Sequence, residues 1–138
     1  KMRKGMMRMT ISAARLHLLA ESMGVQLKRH TGGCPGWYDH HRRIISTRRG
    51  QSISQYKSVL AHELGHAAHG DTPTGNGHFD QRQERRADEY AARLLINPTD
   101  FETAAIWHHG HLPAIADELE VTQHILKTWQ TLHERQAA

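Results

Sequence analysis

Two histidines four residues apart, His62 and His66, with Glu63 beside the first, constrain this chain more than any other feature. On an α-helix, which advances about 100° per residue, positions i and i+4 stand on one face. The two imidazoles then converge on a single tetrahedral cation. Glu63, on the adjoining flank, can reach a water held by that cation without being a ligand itself. Two nitrogen ligands and a general base at this spacing are what a zinc-dependent hydrolase needs. With 13 His and 8 Glu in the chain, chance alone would produce the pattern roughly 0.07 times, so the flanking residues have to support it.

They do. Val59, Leu60, Leu64 and Ala67 form an apolar stripe at helical spacing, and no proline interrupts residues 51–72. Ser52 or Ser54 can cap the start, and Gly70 stands where a helix would stop. Gly65 in the interior costs up to about 1 kcal/mol against alanine, which close approach of a neighbouring helix would offset.

A zinc site needs a third protein ligand. Glu84 lies 18 residues beyond His66 and opens a second apolar-periodic segment that runs on through residues 90–96. Asp88, four residues later, shares its face, so one carboxylate can bind metal while the other accepts the free N–H of a liganding imidazole. Small Ala87 and Ala91 would let this helix lie against Gly65. His69 and His78 are the rival third ligands. The layout with a third histidine six residues after the second fails, because Thr72 occupies that place.

The runs LAHELGHAAHG and ERRADEYAARLLINP resemble the ImmA/IrrE family of metallopeptidases. The similarity covers roughly residues 14–126 and is most specific over residues 59–98. It implies one Zn2+ per chain held by His62, His66 and Glu84, with Glu63 as the catalytic glutamate and Asp88 at the acidic position of the second motif. It also implies a protein substrate, typically a helix-turn-helix transcriptional repressor. Arg86 and Asn97 depart from the family pattern. His78, Tyr38 and Tyr90 are candidates for stabilising the oxyanion or touching substrate. The competing function classes are a non-catalytic, metal-stabilised regulator that binds a repressor or DNA, and a toxin-like relative with another target.

At 138 residues the chain is long enough for one domain with a core of its own. A single cysteine, Cys34, cannot form an intramolecular disulfide, which suits a reducing cytoplasmic setting. No stretch approaches 18 uninterrupted apolar residues, so no membrane association is expected. Residues 1–10 read as a disordered or expression-derived leader, residues 11–110 as the metallopeptidase core, and residues 111–138 as a helical tail packed on it. Residues 1–57 carry 12 Lys and Arg against 2 Asp and Glu, a basic half that could steer an acidic partner or nucleic acid.

The periodicities predict an α+β fold, with a small antiparallel sheet beside the zinc-site helices. Residues 12–24 read as a helix and residues 25–29 as a strand. Trp37-Tyr38 and residues 44–47 form a hairpin whose edge could align an extended peptide. After the metal helix come a polar loop over residues 71–80, the Glu84 helix, and helices over 99–107, 113–120 and 122–135. Ala116, Val121, Leu126 and Trp129 fall at helix-turn-helix spacings, with Thr122-Gln123-His124 able to head a reading helix. Glu120 stands where such a turn usually has glycine, and the tail is net acidic, so structural packing is preferred to direct DNA binding.

Overall fold

The computed structural model describes residues 10–137. Helix α1 (Ala13–Ser22) starts at Ser12, whose hydroxyl accepts from the Arg15 N–H at 3.2 Å. Strands β1 (Gln26–His30), β2 (Gly36–Asp39) and β3 (Ile44–Arg48) follow. Helices α2 (Ile53–His69), α3 (Gly77–Leu95), α4 (Pro98–Trp107), α5 (Leu112–Glu118) and α6 (Gln123–Ala137) complete the described chain. The fold is α+β. Of the leader expected over residues 1–10, all but Thr10 lies outside the described residues. The Thr10 hydroxyl donates to Asp100 Oδ2 at 2.8 Å.

The sheet departs from the expected all-antiparallel form. β2 and β3 make the predicted antiparallel hairpin, with Tyr38 opposite Ile45, but β1 adds to the far side of β3 in parallel, with Leu27 opposite Ile45. The order is β1-β3-β2. The cause is the link between β1 and β2, which crosses the end of β3 instead of turning back beside β1. Gly32 and Gly33 make that crossing at φ of 69° and 73°, a region that side-chain-bearing residues avoid. β3 is thereby central, with Ile45, Ser46 and Thr47 buried, and β2 is left as the edge strand beside α2.

The α2 boundaries follow from its caps. Ser52 and Gln55 form a capping box, and Gly70 closes the helix in the left-handed conformation. The loop expected over residues 71–80 is shorter than that. Asn76 accepts from the His78 and Phe79 N–H groups and starts α3 at Gly77. Asn97 likewise caps α4, with Pro98 in the first turn, which gives this departure from the family pattern a local job.

Leu60 and Leu64 of α2, Ala91 and Leu95 of α3, Ile115 of α5, and Leu126 and Trp129 of α6 belong to one core cluster. A fully buried leucine contributes on the order of 2 kcal/mol. Gly65 fits the expected close approach: a Cβ there would stand 3.0 Å from Ala87 Cα. Among the described residues, no helix is long and apolar enough to cross a membrane.

Candidate metal centre

Helix α2 sets His62 and His66 one turn apart, with ring centroids 4.8 Å apart and planes at 86°. Both rings present Nε2 to the same carboxylate. His62 Nε2 is 3.0 Å from Glu84 Oε1, and His66 Nε2 is 2.9 Å from Glu84 Oε2. Ligand atoms of these three residues all lie within 4.8 Å of one another. Zinc at bond lengths of ~2.0–2.1 Å holds tetrahedral ligand atoms ~3.3 Å apart. The imidazole–carboxylate spacings therefore need to open by only a few tenths of an ångström to accept such an ion. Glu84 reaches the rings because Gly65 lets α3 approach: Ala87, three residues on, sits directly over it.

The other ring nitrogen of each histidine is tied to a carboxylate. His62 Nδ1 donates to Asp88 Oδ1 at 2.7 Å, the partner expected from the i,i+4 relation to Glu84. His66 Nδ1 donates to Asp71 Oδ2 at 3.0 Å. These bonds leave both Nε2 atoms directed at the shared point, the donor arrangement a divalent ion requires. Asp71 is buried, and its other oxygen accepts from Arg86 Nη2 at 2.7 Å. Arg86 thus steadies the carboxylate that holds His66. Asp88 Oδ2 accepts from His124 Nε2 at 2.7 Å. Sequence reading missed Asp71 and His124 as parts of this site. The only local hint for Asp71 was its place just after the glycine cap, and nothing near His124 pointed toward α2.

The charges are tightly coupled. Burial alone would lower the His62 pKa, but the Asp88 hydrogen bond and the charges of Glu63, Asp88 and Glu84 outweigh it and push it up to about 9. Burial would raise Asp88, yet its hydrogen bonds to His62 and His124 bring it below the usual carboxylate range. Glu63 is 7 % exposed. Burial lifts its carboxyl above the ordinary value against the opposing pull of His62 and His66, the direction that makes a carboxylate a better proton acceptor.

A cleft of about 310 Å³ opens over Glu63 and His66, between Gly36, Trp37 and Tyr38 on β2 and Asp80, Gln83 and Glu84 on α3. Gly36 allows β2 to lie this close, since a Cβ there would stand 2.5 Å from Val59 Cγ1. Of the three candidate oxyanion donors, Tyr38 lines the cleft. Its hydroxyl accepts from Arg43 Nη1 at 3.2 Å and shares a 2.8 Å hydrogen bond with His40 Nδ1. The other two stand elsewhere. His78 is in the exposed first turn of α3 against Phe79 and does not line the cleft. Tyr90 lies in a separate groove with His69, its Cβ among the atoms packed over Gly65. His69, the rival third ligand, donates back to the Gly65 carbonyl at 2.7 Å and is outside the cluster.

The head of α6 is also committed to this region. The Thr122 N–H donates to Ser58 Oγ at 3.0 Å, and His124 holds Asp88. Glu120 does adopt the left-handed turn conformation, at φ 58°, and its carboxylate accepts from the buried Lys57 ammonium at 2.9 Å. The helix pair is thereby pinned to α2.

No curated protein matches the chain. A peptidase family described as IrrE N-terminal-like domain matches residues 16–128, a span that contains the whole cluster. The chain belongs to that peptidase family.

Proposed function

We propose that the protein is a zinc-dependent endopeptidase that hydrolyses a partner protein, with a helix-turn-helix transcriptional repressor as the substrate class. The observation that carries this reading is the convergence of His62 Nε2, His66 Nε2 and the Glu84 carboxylate beside a buried Glu63. The repressor class rests on the resemblance to the family, and the cleft along an edge strand supports only the coarser point that an extended peptide fits better than a small metabolite.

His62, His66 and Glu84 would hold the ion. When bound, it supplies Lewis acidity, polarising a water and the scissile carbonyl. Glu63 takes the proton from the attacking water and returns it to the leaving amine. Asp88 and Asp71 keep the two imidazoles in the tautomer and orientation that the ion needs. β2, the edge strand among the described residues, offers its edge to the peptide backbone, and Tyr38 is the one of the three candidate oxyanion donors that lines the cleft.

A regulator that binds DNA through the head of α6 fits less well, because the Thr122 N–H and the His124 Nε2 are already committed to Ser58 and Asp88. Metal content of the purified protein beside Glu84→Ala, followed by cleavage of a co-expressed repressor by wild type and Glu63→Gln, tests the proposal. One zinc per chain that Glu84→Ala loosens is expected, with Glu63→Gln retaining metal and losing at least about 10²-fold in cleavage rate. Undiminished cleavage by Glu63→Gln would remove the assignment of the base.

A further inference from the structure

On the His62 side of the cluster the chain builds a second hollow, of about 240 Å³. Its floor is α2, with Val59, His62 and Glu63. Pro35 and Gly36, leading into β2, form one wall, and Thr122 and Ile125 at the head of α6 form the other. Gly36 and Glu63 line both this hollow and the cleft on the His66 side. The two spaces therefore meet at the general base. β2 passes from one, at Gly36, into the other, at Trp37 and Tyr38.

Their chemistries differ. The His66 side presents Asp71, Asp80, Gln83 and Glu84. The His62 side presents the hydrocarbon of Pro35, Val59 and Ile125, and away from Glu63, where the two spaces meet, most of its polar groups are already engaged. Ser58 Oγ accepts from the Thr122 N–H, while the Asp88 oxygens accept from His62 and His124. A polar side chain seated between Pro35, Val59 and Ile125 would lose water for few partners, whereas an apolar one gains by leaving water.

Building on the peptidase reading above, we propose that this hollow is a specificity subsite for a medium-sized apolar side chain, of leucine, isoleucine or methionine type, flanking the scissile bond. An extended peptide laid along β2 advances 3.2–3.4 Å per residue, with alternate side chains on one face. With its carbonyl held over Glu63, a residue next to the cleaved bond drops between Val59 and Ile125. The tail helix α6 thereby belongs to the substrate site, and Ile125 is a specificity-determining residue. Gly36 keeps the passage between the two spaces open, because the strand there already touches Val59.

The test uses hydroxamates, which anchor on a bound metal whether or not anything is cleaved. The zinc-loaded protein is titrated calorimetrically with acetohydroxamate and with two isobutyl-bearing hydroxamates. One carries the isobutyl group on the amino side of the chelating group and the other on the carboxyl side, and each is compared with its methyl counterpart. One isobutyl compound should bind at least about tenfold tighter than its methyl counterpart. That advantage should vanish in Val59→Phe, which fills the hollow, and shrink in Val59→Thr, which keeps the shape and replaces a methyl by a hydroxyl. Acetohydroxamate should bind all three proteins alike. Should neither isobutyl compound outdo its methyl partner while acetohydroxamate still binds, the subsite is overturned and the metal-centre reading stands. Failure of acetohydroxamate to bind wild type would overturn the metal-centre reading and the subsite with it. If Val59→Phe disturbs folding, Val59→Thr alone decides, and an undiminished isobutyl advantage there counts against the proposal.

Discussion

Gly65 and Ala87 touch where α2 and α3 cross, so closely that a methyl group on Gly65 would stand 3.0 Å from the Ala87 Cα and 3.1 Å from its carbonyl oxygen. Both neighbours are backbone atoms, which cannot swing aside as a flexible side chain would. The glycine inside the metal helix is therefore what brings Glu84 within reach of His62 and His66.

Gly65→Ala should push the two helices apart. The expected destabilisation is about 1–3 kcal/mol, typical of overpacking, even though alanine is the better helix former. Zinc affinity should fall as well, because Glu84 moves with α3. Chemical denaturation and a chelator-competition titration on the same variant would check both; a more stable protein with unchanged affinity would contradict the packing argument.

The two carboxylates that hold the imidazoles differ in their own support. Asp71 is anchored by Arg86 and Asp88 by His124. Asp71→Asn and Asp88→Asn should each weaken zinc binding by about 10–100-fold. His124→Ala should give a smaller loss, since His124 acts only through Asp88 and is itself largely exposed. Competition with a chromophoric chelator ranks the three; a loss in His124→Ala equal to that in Asp88→Asn would mean His124 acts directly.

A metal ion held by His62 would compete there with a proton. In the metal-free protein the ring is pushed up to about 9 from an ordinary 6.5. Its charged form is thus favoured by the fold, and that contribution to stability is fully present below pH 6.5 and lost as pH rises through about 9. The metal needs the neutral ring, so zinc affinity should climb steadily between those limits, by up to about tenfold per pH unit for one displaced proton. Calorimetric titrations at several pH values, with proton release measured in two buffers, give the slope. A flat profile across this window would show that His62 is not protonated in the metal-free site.

Glu120 stands in the left-handed region at φ 58° and pairs with Lys57, whose side chain is 1 % exposed. Glycine at this position would relieve backbone strain of order 1–2 kcal/mol. It would also strand a buried ammonium, and breaking a buried pair costs about 3–5 kcal/mol, less here because Glu120 is one-third exposed. The second effect should win, so Glu120→Gly is expected to lower stability by about 1–2 kcal/mol. Urea unfolding of the variant beside Lys57→Met separates strain from charge.

The readable parts of this chain were those decided within a few residues. His62, His66 and a serine cap at Ser52 or Ser54, of which the structure uses Ser52, depend on helical period and on hydrogen bonds one turn long, and Glu84 with Asp88 shows the same i,i+4 logic on the next helix. Those relations let the sequence by itself determine the α+β class, the candidate metal helix and its pair of histidine donors, while the third donor stayed open between Glu84, His69 and His78 until the structure brought Glu84 to the pair. Tertiary structure decided what the chain brings together across longer separations. His124 meets Asp88 from 36 residues away, and Lys57 meets Glu120 from 63. β1 joins β3 in parallel because its link to β2 crosses the sheet end. Asp71, only five residues from His66, belongs with these, because it can accept from His66 only after Gly70 turns the chain back. None of these pairings leaves a periodic trace, since each depends on how separate elements pack and on burying charged groups only where a partner waits.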